Sequence, residues 1–128
     1  MKSEAPQPFV RAIAPHQKLR LEKAMAYLEK HFRAAPRLRD VAKAAHFSPY
    51  HFHRIFRQHF GKTFKIAATE LQIGEAKRLL LEGKSVADVS RVLGFASHAS
   101  FTNRFKRCIG ASPNQWLRIQ RMKKIRES

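Results

Sequence analysis

Apolar positions recur at helical spacing along most of this chain, and they twice fall into the same two-helix pattern. Between Ser85 and Pro113, Val86, Val89 and Val92/Leu93 form the inward stripe of one short helix. Phe101, Phe105 and Cys108/Ile109 form that of a second, leaving His98, Ala99, Thr102, Asn103, Lys106 and Arg107 on its outer face. Ser85 is placed to cap the first helix, with Asp88 three residues on as a partial capping box. Gly94 suits the left-handed turn that ends it. Phe95 returns to the core, Ser97 caps the second helix and Gly110 stops it. A pair built this way leaves its second helix free to enter a groove.

The same pattern stands earlier in the chain. Leu38, Asp40, Val41 and Phe47 match Val86, Asp88, Val89 and Phe95 at an offset of 48. Phe52, Phe56, Gly61 and Thr63 match Phe101, Phe105, Gly110 and Ser112 at an offset of 49. The one-residue slip falls in the turn or at the start of the second helix, where an insertion is best tolerated. Matches that include Asp, Gly and three Phe define a pseudo-repeat. The earlier copy is less regular: Arg37 stands where Ser85 does, so a side-chain cap is missing, and His46 stands where Gly94 does. Ser48-Pro49 is a strong start signal for its second helix. That helix buries Phe52, Ile55, Phe56 and Phe60 and exposes Tyr50, His51, His53, Arg54, Arg57 and Gln58.

The remaining segments fit around these two units. Residues 1–15, with three prolines, read as a mobile arm. Leu21, Met25, Leu28 and Phe32 mark a first helix over His16–Phe32, ended by Ala34-Ala35-Pro36. Thr63–Glu82 reads as one long helix ending at Gly83, about 30 Å long at 1.5 Å per residue. That is close to the roughly 34 Å of one turn of B-DNA. Ser112-Pro113 starts a last helix, with Trp116, Leu117 and Ile119 inward. The expected organisation is an all-α fold of about seven helices: a first helix–turn–helix subdomain over 16–62, a linker helix over 63–83, a second subdomain over 84–120, and a fraying basic tail over 121–128.

Charge narrows the partner. Lys and Arg total 26 against nine acids, a net charge of +17 spread through both halves. This predicts a polyanion, nucleic acid before anionic membrane. A hydrophobic content of 44% argues against a disordered basic tail. One cysteine excludes a disulfide framework and a thiol zinc finger. No apolar run approaches the ~18 residues of a membrane span, and no signal-peptide core follows the first basic residue. The expected location is the cytoplasm, in association with the nucleoid.

The segments FSPYHFHRIFRQHFGKT, AKRLLLEGKSVADVSRVLGF and SFTNRFKRCIGASPNQWLR resemble the DNA-binding domain of the AraC/XylS family of bacterial transcription regulators over about Leu19–Arg118. By length the chain is most similar to the small stand-alone multiple-antibiotic-resistance and superoxide-response activators. The resemblance implies a monomer that binds an asymmetric double-stranded site and recruits RNA polymerase as an activator. It places base contacts at Tyr50, His53 and Arg54 in one unit and at His98, Ala99, Thr102 and Asn103 in the other. Phosphate contacts fall to Ser48, Arg57, Ser97, Lys106 and Arg107. The chemistry suits those roles: Arg54 can donate twice to guanine, Asn103 can pair with adenine, and Tyr50 and Ala99 can meet a thymine methyl. Departures from the family pattern are Ala67, where an aromatic is usual, Gln72 and Asn103, where arginine is common, and His46, where glycine is usual. The competing reading is a non-specific architectural protein that coats DNA.

Other chemistry is weakly supported. His51 and His53 lie on different faces of one helix, and no cluster completes a metal site. Cys108 falls on the Phe101–Phe105 stripe and is expected as an inert core thiol. With no carboxylate pair, triad or phosphate loop, neither a cofactor nor an enzymatic activity is expected.

Overall fold

The computed structural model describes residues 12–127, so the arm expected over 1–15 lies almost wholly outside the described residues. Seven α-helices follow in order: α1 Pro15–His31, α2 Leu38–Ala44, α3 Pro49–Phe60, α4 Phe64–Leu81, α5 Val86–Val92, α6 His98–Ile109 and α7 Pro113–Glu127. A 3-10 turn, Phe32–Ala34, follows α1. No strand occurs among the described residues. This is the all-α double helix–turn–helix architecture that the periodicity predicts.

Capping fixes most of the helix starts. Ser48, Thr63, Ser85, Ser97 and Ser112 each accept a hydrogen bond from the backbone N–H three residues on, at 3.0–3.2 Å. Gln115 returns the favour at α7, accepting from the Ser112 N–H at 3.0 Å, a complete capping box. α2 starts from Arg37 without a side-chain cap, as its sequence implies. Asp88 is held below the ordinary carboxylate range, first by a hydrogen bond from Ser85 and then by Arg91.

The two turns are closed by the same backbone bonds. Phe47 N–H donates to the Ala42 carbonyl at 2.8 Å and His46 N–H to Lys43 at 3.0 Å. In the second unit Phe95 donates to Ser90 and Gly94 to Arg91, both at 3.1 Å. This paired closure requires a left-handed residue. Gly94 supplies it at φ +78°, and His46 supplies it at φ +65° despite its Cβ.

Burial divides into two cores. Leu21, Leu28, Val41, Phe47, Phe52, Ile55 and Phe56 form the first, joined by Phe64 and Ala67 from α4. Val89, Leu93, Phe101, Phe105 and Trp116 form the second, joined by Ile73, Ala76, Leu79 and Leu80 from the same helix. Phe32 packs against both. Aromatic pairs fill each: Phe56 meets Phe64 edge-on at 5.7 Å, and Phe105 meets Trp116 edge-on at 5.8 Å. Ala67, buried where the family pattern favours an aromatic, lies against this already Phe-rich first core.

Several details differ from the pattern read in the sequence. α7 continues through the basic stretch 121–127 rather than ending before it. Lys and Arg are good helix formers, and no Gly or Pro interrupts them. Ile119 is 45% exposed, and Val92 of the α5 stripe is 47% exposed while Leu93 is fully buried. Cys108 is exposed: Ile109, four residues on from Phe105, carries the stripe onto the second core, and Cys108 is left bordering an open groove.

Two outcomes follow for stability. Replacing His46 with glycine removes a left-handed β-carbon and should stabilise the fold by up to about 1 kcal/mol, less the entropy glycine adds to the unfolded chain. A thermal melt reads this, and an unchanged or lower midpoint contradicts it. Because the Asp88 pKa is lowered, its pairing stabilises the fold above the ordinary carboxylate range. That contribution is lost as pH falls through the lowered value. Asp88→Asn should therefore flatten the acid limb of the stability–pH curve. An acid limb as steep as in the unsubstituted protein contradicts this.

Candidate nucleic-acid interface

The second helix of each unit is anchored by its phenylalanines and presents the opposite face to solvent. On α3, Phe52, Ile55 and Phe56 are buried, while Tyr50 (79% exposed), His53, Arg54 and Arg57 are exposed. On α6, Phe101 and Phe105 are buried, while His98, Ala99, Asn103, Lys106 and Arg107 are exposed. The helix boundaries, Pro49–Phe60 and His98–Ile109, coincide with those read from the sequence. Ser48 and Ser97 stand exposed at the two N-termini, where free backbone amides favour an anion.

Three residues sit differently from the sequence expectation. Thr102 is half-buried, and its hydroxyl lies inside without a hydrogen-bond partner. Its place is the flank of α6, about 100° round from Phe101, so it borders the outward stripe rather than lying in it. His51 and Gln58 are also half-buried. The His51 ring packs on Phe47 at 5.5 Å, and its Nδ1 lies 3.2 Å from the Arg54 guanidinium. His51 thus braces Arg54 from below while Arg54 stays exposed.

The turn before α3 and the turn before α6 are each held by a polar side chain that the periodicity did not single out. Arg20 of α1 stacks on Phe47, its guanidinium carbon 3.9 Å from the ring centroid. It donates from Nε to the Ala45 carbonyl at 2.9 Å, and from Nη2 to the His46 carbonyl. These are the carbonyls left open where α2 ends. In the second unit Ser90, buried where the first unit has Ala42, donates to the Ser97 carbonyl at 3.2 Å. The signal for Ser90 was a polar residue on an apolar stripe. Arg20 offered none, because a cation on an amphipathic helix reads as solvent-facing.

Across the middle, the 3-10 turn after α1 is tied to α4 by an ion pair between Arg33 and Glu75. Glu75, 12% exposed at its side chain, also pairs with Arg78 at 2.7 Å. Among the described residues, no group of His, Cys, Asp or Glu could hold a metal ion, and no helix is long and apolar enough to cross a membrane.

Two basic, outward-facing helices on one helical frame define a helix–turn–helix DNA-binding domain. The chain belongs to the AraC-type family of such domains: the family model described as "Helix-turn-helix domain" matches residues 41–126. It is 37% identical over 93 residues to the HTH-type transcriptional regulator GlxA of Rhizobium meliloti, covering 70% of this chain and 29% of that protein. It is 29% identical over 97 residues to the bifunctional transcriptional activator/DNA repair enzyme AdaA of Bacillus subtilis, covering 75% of this chain and 46% of that one. This chain therefore spans less than half the length of either relative. Among solved structures, the C-terminal domain of AraT, a response regulator from Geobacillus stearothermophilus, matches with a TM-score of 0.74 and 27% identity, over 85% of this chain and 88% of that one. The DNA-binding domain of the global transcriptional factor AdpA, in complex with a target DNA, matches with a TM-score of 0.74 and 26% identity, over 80% of this chain and 94% of that one.

Arg20→Ala should destabilise the first unit by about 1–3 kcal/mol, since two carbonyls lose a charged donor and Phe47 its cover. Urea unfolding should show a lower midpoint at an unchanged slope. No change in midpoint would show that water replaces the clamp without loss.

Proposed function

We propose that this transcription regulator reads an asymmetric double-stranded site with α3 and α6 in successive major grooves of one DNA face. The observation that carries the reading is the repetition itself. Two capped helices, each with an apolar Phe face inward and a polar, cationic stripe outward, are borne at the two ends of one linker helix. α4 has 18 residues, roughly 27 Å, which approaches the ~34 Å between successive turns of a groove. The asymmetry follows from the different outer faces: Tyr50, His53 and Arg54 against His98, Ala99 and Asn103, with Thr102 at the edge. Arg54 pairs with guanine and Asn103 with adenine, while Arg57, Lys106, Arg107 and the N-terminal turns at Ser48 and Ser97 take phosphates.

Because both halves of the site are read by one chain, the protein binds as a monomer. Its role is that of an activator that engages RNA polymerase in the cytoplasm, at the nucleoid. GlxA and AdaA, named respectively as a transcriptional regulator and as a transcriptional activator joined to a repair enzyme, support the regulatory class.

Arg54→Ala should lose discrimination at one base pair by about 1–3 kcal/mol, with other positions unchanged. Arg57→Ala should weaken all sequences alike and lower the slope of log K against log salt by about 1. Binding to single-base variants of a selected site reads both. A uniform weakening by Arg54→Ala, with no change at any one base, would instead indicate a DNA-coating protein.

A further inference from the structure

The two units differ at one core position in a way that bears on how α6 is held. At the repeat offset of 49, Arg104 occupies the place of Ile55. Ile55 is 3% exposed and packs in the first core. Arg104 is half-buried, and a guanidinium cannot fill an aliphatic niche without hydrogen bonds for its N–H groups. It finds partners on two other elements. Nη1 donates to Thr69 Oγ1 of α4 at 3.2 Å. Its guanidinium carbon lies 5.9 Å from the centroid of Phe95, the residue at which the chain re-enters the core after the turn.

The surroundings give this contact its leverage. α6 lies against α5 and α7, and it shares the second core with α4 residues from Ile73 onward, C-terminal to Thr69. On one side of Arg104 lies an open cleft of about 600 Å³ lined by Lys65, Ile66, Thr69, Ile73, Cys108 and Ile109. On the other lies one of about 550 Å³, lined by Phe32, Leu38, His53, Thr63 and Gln72. Arg104 and Thr69 border both. The pair therefore forms a narrow strut between two unfilled spaces, linking the second reading helix to the end of α4 that is built into the first core. Phe101 and Phe105 hold α6 down, yet neither spans to that end of the linker.

We infer that Arg104 is a positioning residue that sets the tilt of α6 on α4, and with it the spacing between half-sites that the protein accepts. This rests on the two-helix reading proposed above. Without the strut, α6 pivots about its two phenylalanines into the clefts, and each half is still read while their separation is no longer fixed. Close-packed interfaces would resist such a pivot, but here the space is open on both sides.

The test uses the whole chain and the site it selects from a random pool. The spacer between the two blocks is lengthened or shortened by one and two base pairs, and each block is also presented alone. The unsubstituted protein should favour one spacing by about tenfold over its neighbours. Arg104→Ile, which restores the side chain of the first unit, should flatten that preference to within about threefold and leave single-block binding unchanged. Thr69→Val removes the acceptor without touching α6 and should do the same, which covers the case of an Arg104→Ile variant that does not fold. A loss equal at every spacing, or an unchanged spacing profile in the folded variants, overturns the inference. A flat profile in the unsubstituted protein overturns the two-helix reading itself, and the strut's role with it.

Discussion

The structure depends on one helix being buried twice. α4 gives Phe64 and Ala67 to the first core and Ile73, Ala76, Leu79 and Leu80 to the second. Neither core can close without it. Small helical units of this size bury too little apolar surface to be comfortably stable alone, so sharing a helix makes the two units mutually dependent. The same sharing fixes geometry. A helix packed along its length cannot flex in its middle without opening one core or the other. Phe32, which packs on both cores, and Arg33, paired with Glu75, close the joint on the side of the first connection.

Within that frame the two units solve the same problem with different side chains. Both turns need a left-handed residue and the same pair of backbone bonds, and both have them. The first unit uses His46 and is braced from outside by Arg20 stacked on Phe47. The second uses Gly94 and is braced from inside by Ser90. At the core flank, Ile55 of one unit gives way to Arg104 of the other. A repeat that has kept its backbone and exchanged its polar supports presents two unlike outer faces at a fixed separation, which suits a site without two-fold symmetry.

Most of the fold was legible because it is carried by short-range signals. Ser48-Pro49, Ser85, Ser97 and Ser112-Pro113 mark helix starts through hydrogen bonds that span three residues. The phenylalanine spacing marks which face goes inward. Less legible were features decided by distant residues. Cys108 sits in register with Phe101 and Phe105, but its neighbour Ile109 is the residue that meets the core there, and spacing alone does not choose between adjacent positions at the edge of a stripe. The helical state of 121–127 was obscured in the same way, since a run of cations looks like a tail when no apolar stripe accompanies it. Thr102 showed the limit of assigning faces by spacing, because a residue at the flank can turn its hydroxyl inward. Arg20 and Arg104 were hidden because their partners, the Ala45 and His46 carbonyls and Thr69, lie 25 to 35 residues away.

The proposed function stands or falls on whether one chain carries two DNA-reading helices at a fixed separation. Selection of bound sequences from a randomised duplex pool, at about 0.15 M salt, tests it most directly. Two helices held in this way should recover an asymmetric site with two short, unlike blocks centred about ten base pairs apart. Enrichment of a single block, or of no sequence with binding that merely tracks salt, would contradict it.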